Sequence, residues 1–232
     1  MVTISRRSLL VSALGVCIGS VAVGCVAPTT GSVNPSPATD FFAGLFPDAE
    51  AARFVVRSNT VQELARSCGA VVEGKIRSVR HVASSFGDSG TDPIHTLGFD
   101  IAPTIVRGAL PTGSATITIV GGTVATDPDE AVRRLTASLP DEHMLWFVTA
   151  HDDLAAQRRR ELEANGEEPS DEALAEEAKL SGLFAAGPFG VVSQGPTHAE
   201  LPYLSNAPAE FPLVSDVRGY RTLDEVRGAV RA

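Results

Sequence analysis

The sequence is short of several things, and each shortage closes off a class of function. Cysteine occurs three times in 232 residues, at Cys17, Cys25 and Cys68. The first two lie in an N-terminal apolar segment, so the folded part keeps Cys68 alone and cannot be a disulfide scaffold. Basic charge is scarce: 19 Lys and Arg stand against 28 Asp and Glu, a formal net charge of −9. Such a chain repels phosphates, so nucleic acid is not an expected partner, and no basic patch is at hand to hold anionic lipid. No apolar run reaches the roughly 18–20 residues that a membrane-spanning helix needs. Gly121-Gly122-Thr123 lacks the downstream lysine of a phosphate loop. No stretch spells out a nucleophile, a metal-ligand set or a cofactor motif, so neither a cofactor nor an enzymatic activity is expected.

The apolar run that is present starts the chain. Arg6 and Arg7 precede a segment from Leu9 to Val23, interrupted by Gly15 and Gly19. Charged start, short apolar middle and small-residue end are the parts of a secretory signal. Ser5-Arg6-Arg7-Ser8-Leu9-Leu10 resembles the twin-arginine export motif. Ala22-Val23-Gly24-Cys25 resembles a bacterial lipobox, in which the cysteine takes a diacylglycerol and becomes the mature N-terminus; Val16 before Cys17 is too bulky for that role. The stretch Val26 to Asp40 is rich in Pro, Ser and Thr, a composition suited to a tether rather than a core. The expected organisation is a signal peptide over residues 1–24, a lipid-anchored tether over 25–40 and a single domain over 41–232. Taking 24 residues off 232 leaves 208, and losing two arginines takes the net charge from −9 to −11. The expected location is the extracytoplasmic face of the cell membrane, reached through lipid on Cys25.

Within the domain, Thr60 and Glu63 form a capping box for a short helix that buries Val61, Leu64, Ala65 and Cys68 and stops at Gly69. Ala70 to Val82 is β-rich, and its apolar parity shifts between Ile76 and Val79, which predicts a bulge or bend near Gly74. Leu97, Phe99 and Ile101 alternate as a strand until Pro103 breaks the ladder, and a short strand comes next with Ile117 and Ile119 inward. Met144 to Val148 is apolar on both faces and reads as a central strand; Phe189 to Ser193 reads as another. Asp127-Pro128 starts one helix, and Thr222 with Glu225 starts a C-terminal one carrying Leu223, Val226 and Val230. Between the two central strands, Asp152 to Gly182 reads as two polar helices joined at Asn165-Gly166. With ten acidic and four basic residues it holds −6, more than half the mature charge. The fold class predicted is mainly β with added helices: a partly open, OB-like β-barrel with an inserted helical hairpin at 152–182 and a C-terminal helix.

The order of these segments resembles a pattern in small secreted and lipid-anchored bacterial (actinobacterial-type) β-barrel proteins. In them a valine-rich strand carries a glycine, a second strand ends in a basic residue and glycine, and a third ends in a Gly-Gly pair. Gly74, Arg107-Gly108 and Gly121-Gly122 occupy those places. The resemblance implies distant structural kinship with OB-type barrels, including the metalloproteinase-inhibitor modules of animals. The chain lacks the cysteine framework of those modules, so their inhibitory activity is not carried over, and the resemblance supplies no catalytic residue.

Candidate functional residues are weighed against plain structural roles. His81 and His95 flank the Ser84–Pro93 loop, which contains Asp88 and Asp92; imidazole and carboxylate are zinc ligands, but the spacing fits no usual motif. His143 and His151-Asp152-Asp153 invite the same thought, although the two aspartates are better read as helix starters. Trp146 reads as core, and Arg158 to Arg160 as a solvated helix face. Phe41, Phe42, Leu45 and Phe46 make an apolar start to the domain, to be packed across an open barrel end or turned to membrane or partner. The leading expectation is a non-enzymatic binding module with an envelope protein as partner. Its candidate face is Glu73, Lys75, Arg77 and His81, which project from one strand beside the Ser84–Pro93 loop. The alternative is an envelope hydrolase or metal-binding protein that uses His and Asp residues near that loop.

Overall fold

The computed structural model describes residues 36–43, 45, 58–86, 93–110, 114–124, 127–204 and 211–232. Arg6, Arg7, Cys25, Phe46, Asp88 and Asp92 lie outside the described residues. The chain is a mixed α/β protein built on an eight-stranded, mostly antiparallel sheet. The strands are β1 (Ala70–Gly74), β2 (Ile76–Phe86), β3 (Pro93–Ile101), β4 (Thr104–Gly108), β5 (Ala115–Val124), β6 (Met144–Ala150), β7 (Phe184–Gln194) and β8 (Ala199–Glu200). Their order is β2-β3-β5-β7-β6-β1-β4, with β8 on β7.

Two long, bent strands organise the sheet. β1 and β2 are one run interrupted at Lys75, and β3 and β4 are one run interrupted at Ala102-Pro103. The runs pair antiparallel along their whole length, from Ala70 opposite Gly108 to Phe86 opposite Pro93. The register slips between Ile76 and Ser78, where the apolar parity of the sequence shifts. At the bend the Trp146 indole N–H donates to the Gly74 carbonyl at 3.1 Å. A side chain on Gly74 would press on the backbone of Ala102. Gly108 (φ 79°) takes a left-handed conformation against Gly69, where no larger residue fits. Past these runs β1 also pairs with β6, β6 with β7, and β7 runs parallel to β5.

The sheet is apolar on both faces where it is central. Met144, Trp146 and Val148 join one core with Val72, Leu97, Phe99 and Ile117. Leu145 and Phe147 face a second core with Val71, Val192, Leu213 and Val226. The continuous apolar run in β6 is therefore a strand covered on two sides. The second core is closed by α2 (Val61–Ser67), α6 (Pro212–Arg218) and α7 (Leu223–Arg231). α2 and α7 are capped alike: Thr60 accepts from the Glu63 amide and Thr222 from the Glu225 amide, each at 3.2 Å. The returning glutamates accept from Asn59 and Arg221, one residue before each cap. α3 (Pro128–Ala137) starts at Asp127, which accepts from Asp129, and puts Ala131 and Leu135 into the first core.

Helix α1 (Pro37–Ala43) crosses the boundary drawn from sequence at Asp40. Ser36, Ala38 and Thr39, tether-like in composition, are buried. The cause lies in the adjoining apolar residues: Phe41, Phe42 and Leu45 enter the first core, and Phe42 stacks near Tyr203, Phe99 and Trp146. Thr39 donates to Glu200 at 2.7 Å, Ser36 also bonds Glu200, and Glu142 accepts from the Ala38 amide at 2.7 Å. Of the two places left open for this segment, the core receives the three described apolar residues.

The excursion between β6 and β7 forms α4 (His151–Ala164) and α5 (Asp171–Leu180), joined through Asn165-Gly166. Neither helix contains a fully buried residue. The His151 amide donates to the Leu183 carbonyl at 3.0 Å, which closes the neck of the hairpin. Among the described residues no helix is long and apolar enough to cross a membrane.

Candidate functional site

The four residues of the predicted face do not form one patch. Glu73 is mostly enclosed: Arg227 of α7 donates to its Oε2 at 2.9 Å, and His143 Nδ1 stands 3.6 Å from Oε1. It fastens the C-terminal helix to the sheet. Lys75, at the break between β1 and β2, pairs with Asp141 at 2.6 Å and holds that carboxyl below its usual range. Arg77 and His81 are exposed on β2. Glu73 and His81 are eight positions apart, on the order of 25 Å along an extended strand. Sequence alternation places all four on one side; the break at Lys75 and the register slips in β2 divide them.

At the far end of β2 the sheet brings His81, Ser84 and His95 together. Ser84 and His95 are directly opposite in the β2–β3 ladder, and Ser84 Oγ lies 2.8 Å from His95 Nδ1. His81 Nε2 is 2.9 Å from the Ala83 carbonyl and 3.0 Å from Ser84 Oγ. A carbonyl only accepts, so His81 Nε2 carries the proton. With His95 Nδ1 unprotonated, the exposed Ser84 hydroxyl donates to a buried imidazole, the geometry that withdraws a proton from a hydroxyl. The two imidazole rings meet edge to face at 5.4 Å. Sequence reasoning singles out both histidines but misses Ser84 as their link. The signal is a serine in β2 at the position facing His95, visible only once the register is fixed.

A further polar group spans β2, β3 and the neighbouring β5. Asp100 of β3 accepts from Ser78 at 2.7 Å and from Thr116 at 2.5 Å, and Arg80 Nε approaches it at 3.5 Å. Burial alone would raise the Asp100 pKa. The bonds from Thr116 and Ser78 and the Arg80 charge outweigh that and hold the carboxyl below its ordinary value. Arg80 also donates to Thr116 at 3.1 Å, so β2, β3 and β5 are laced by charged and hydroxyl groups on one surface.

The remaining candidates have structural places. His151 Nε2 is 2.7 Å from Thr118 Oγ1, and burial lowers its pKa, only partly offset by Asp152. Asp152 accepts from the Gly182 amide and so helps close the hairpin neck. Cys68 is half-buried and burial pushes its thiol pKa up, which disfavours the reactive thiolate. Among the described residues no three His, Cys, Asp or Glu side chains gather to hold a metal ion. No family model, curated protein or solved structure matches the chain.

Proposed function

We propose that this chain is a cell-envelope lipoprotein whose domain is an OB-like, partly open barrel that binds a protein partner at the extracytoplasmic face of the membrane. Supporting the barrel is the pairing order. The long β1–β2 run pairs with β3–β4 throughout and with β6 through its first half, and β5 meets β7 in parallel. Such pairing is compatible with a five-strand Greek-key barrel, and that is what favours the reading. Supporting the anchor are Gly24-Cys25 and the Pro/Ser/Thr-rich stretch behind it, and supporting twin-arginine export are Arg6 and Arg7.

The observation that carries the binding reading is the row of exposed Arg77, Arg80 and His81 side chains along β2. Barrels of this kind use one strand face and adjoining loops for ligands. Glu73 leaves the face because it holds α7, and Lys75 stays at its border, tied to Asp141. The test is recovery of cross-linked envelope proteins from cells at equal protein level and equal membrane attachment. Lys75→Glu with Arg77→Glu is expected to leave the fold intact and cut that recovery; unchanged recovery removes this face.

One observation favours a second reading, an envelope hydrolase: the hydrogen bond from Ser84 to His95. In it Ser84 is the nucleophile and His95 the base. A turnover activity abolished by Ser84→Ala and by His95→Ala would establish this reading over the first.

A further inference from the structure

The helical hairpin holds a cavity between its two helices, lined by none of the residues of the proposed strand face. It measures about 190 Å³ and opens between α4 and α5. α4 contributes His151, Ala155 and Arg158, and α5 contributes Ala173, Glu177 and Leu180. Both sets are spaced i, i+4, i+7, so each is one face of its helix, and the two faces look at one another. Alanine on both sides is what keeps the helices from filling the gap. The volume is below the roughly 300–1,000 Å³ of pockets for drug-sized ligands, so it suits a small molecule.

The cavity wall carries unspent polar capacity of both signs. Glu177 Oε2 is 3.5 Å from Arg159, but Oε1 is shielded from water and has no hydrogen-bond partner among the described residues. An ionised oxygen left so is costly, and a donor that reaches it is favoured accordingly. The terminal torsion of a glutamate is soft, and in the binding mode proposed below the carboxylate turns to put that oxygen on the cavity. Arg158 lines the same space, and among the described residues it has no ion-pair partner. Thr118 donates to the Phe184 carbonyl at 3.3 Å, so the His151 Nε2–H donates to Thr118, which ties the ring to the sheet. Leu154, Ala155, Ala173 and Leu180 supply the apolar remainder, and Glu176 is a second carboxylate on the wall.

We propose that this cavity binds a small aliphatic zwitterion, an α-amino acid, with its ammonium on Glu177 and its carboxylate on Arg158. The proposal goes beyond the binding face on β2 and uses none of its residues. It is tested by titrating the purified full-length mature protein with L-leucine, 4-methylpentanoate, which lacks the ammonium, and isopentylamine, which lacks the carboxylate. L-Leucine is expected to bind at least about tenfold more tightly than either analogue, the scale of one charge-assisted hydrogen bond. Glu177→Gln, Arg158→Gln and the cavity-filling Ala173→Leu are each expected to weaken it about tenfold or more. Glu167→Gln, at the hairpin tip, is expected to change nothing, and unliganded melting curves report that each variant is folded. Absence of L-leucine binding to the folded wild-type protein overturns the proposal. So does equal binding of isopentylamine, or undiminished binding by folded Ala173→Leu. A null result here leaves the strand-face reading to its own cross-linking test.

Discussion

Single residues in this chain are tied down by partners from distant segments. Glu73 reads from sequence as a surface contact because it alternates with Lys75 and Arg77, yet Arg227, 154 positions away, claims its carboxylate. Alternation reports which side of a strand a residue occupies; it does not report what later chain will cover that side. A double-mutant cycle on Glu73→Ala and Arg227→Ala is expected to give a coupling of about 1 kcal/mol in urea unfolding, since the pair is half-enclosed rather than on open surface. Additive losses would mean that the pair does not hold α7. His151 makes a second residue-scale test. Its folded pKa lies below the ordinary value of 6.5, because burial disfavours the charged ring. A base with a depressed pKa binds its proton more readily when unfolded. Its neutral form therefore supports the fold fully above pH about 6.5, and that support is lost as pH falls below it. The difference in unfolding free energy between wild type and His151→Gln is expected to shrink as pH drops from about 7 toward 5. A difference that is flat with pH contradicts the buried, neutral ring.

Among the elements, those with a strong local code are legible in the sequence and those made by packing are not. α2, α3 and α7 announce themselves by caps, and β6 by an apolar run covered on both faces. The bend in β1–β2 shows as a slip in parity near Gly74, and Pro103 marks the break before β4. By contrast α1 is written in tether-like residues and owes its helix to the docking of Phe41 and Phe42, α6 has proline at its start but no side-chain cap, and the two-residue β8 has no comparable signal. Of the candidate site, the histidines are visible from sequence, but the link through Ser84 depends on register. The α4–α5 hairpin is legible from charge and caps. Its detachability rests on the neck, where β6 and β7 pair as far as Ala150 opposite Phe184. Replacing residues 152–182 by a short Gly/Ser turn is expected to lower stability by no more than about 1–2 kcal/mol with cooperative unfolding retained, because long surface excursions close at little entropic cost. Loss of cooperativity would show that the helices complete the core.

At the scale of the whole molecule, a domain with a mostly antiparallel sheet stands behind a stretch whose composition suits a spacer. As proposed, the mature chain carries −11 once the two signal arginines are removed, and among the described residues no helix is long and apolar enough to cross a membrane. In the proposed account, anchoring, compartment and the class of partner all depend on Cys25. On that proposal, export through Arg6 and Arg7 delivers the chain, and acylation of the cysteine keeps the β2 face within reach of other envelope proteins. The most direct measurement is the intact mass of the mature protein recovered from the membrane fraction, beside the same measurement on Cys25→Ser. The account predicts a chain of residues 25–232 carrying a diacylglycerol in the wild type, and no lipid and no membrane retention in the variant. A wild-type chain that begins elsewhere or carries no lipid would contradict it, as would a variant that stays with the membrane.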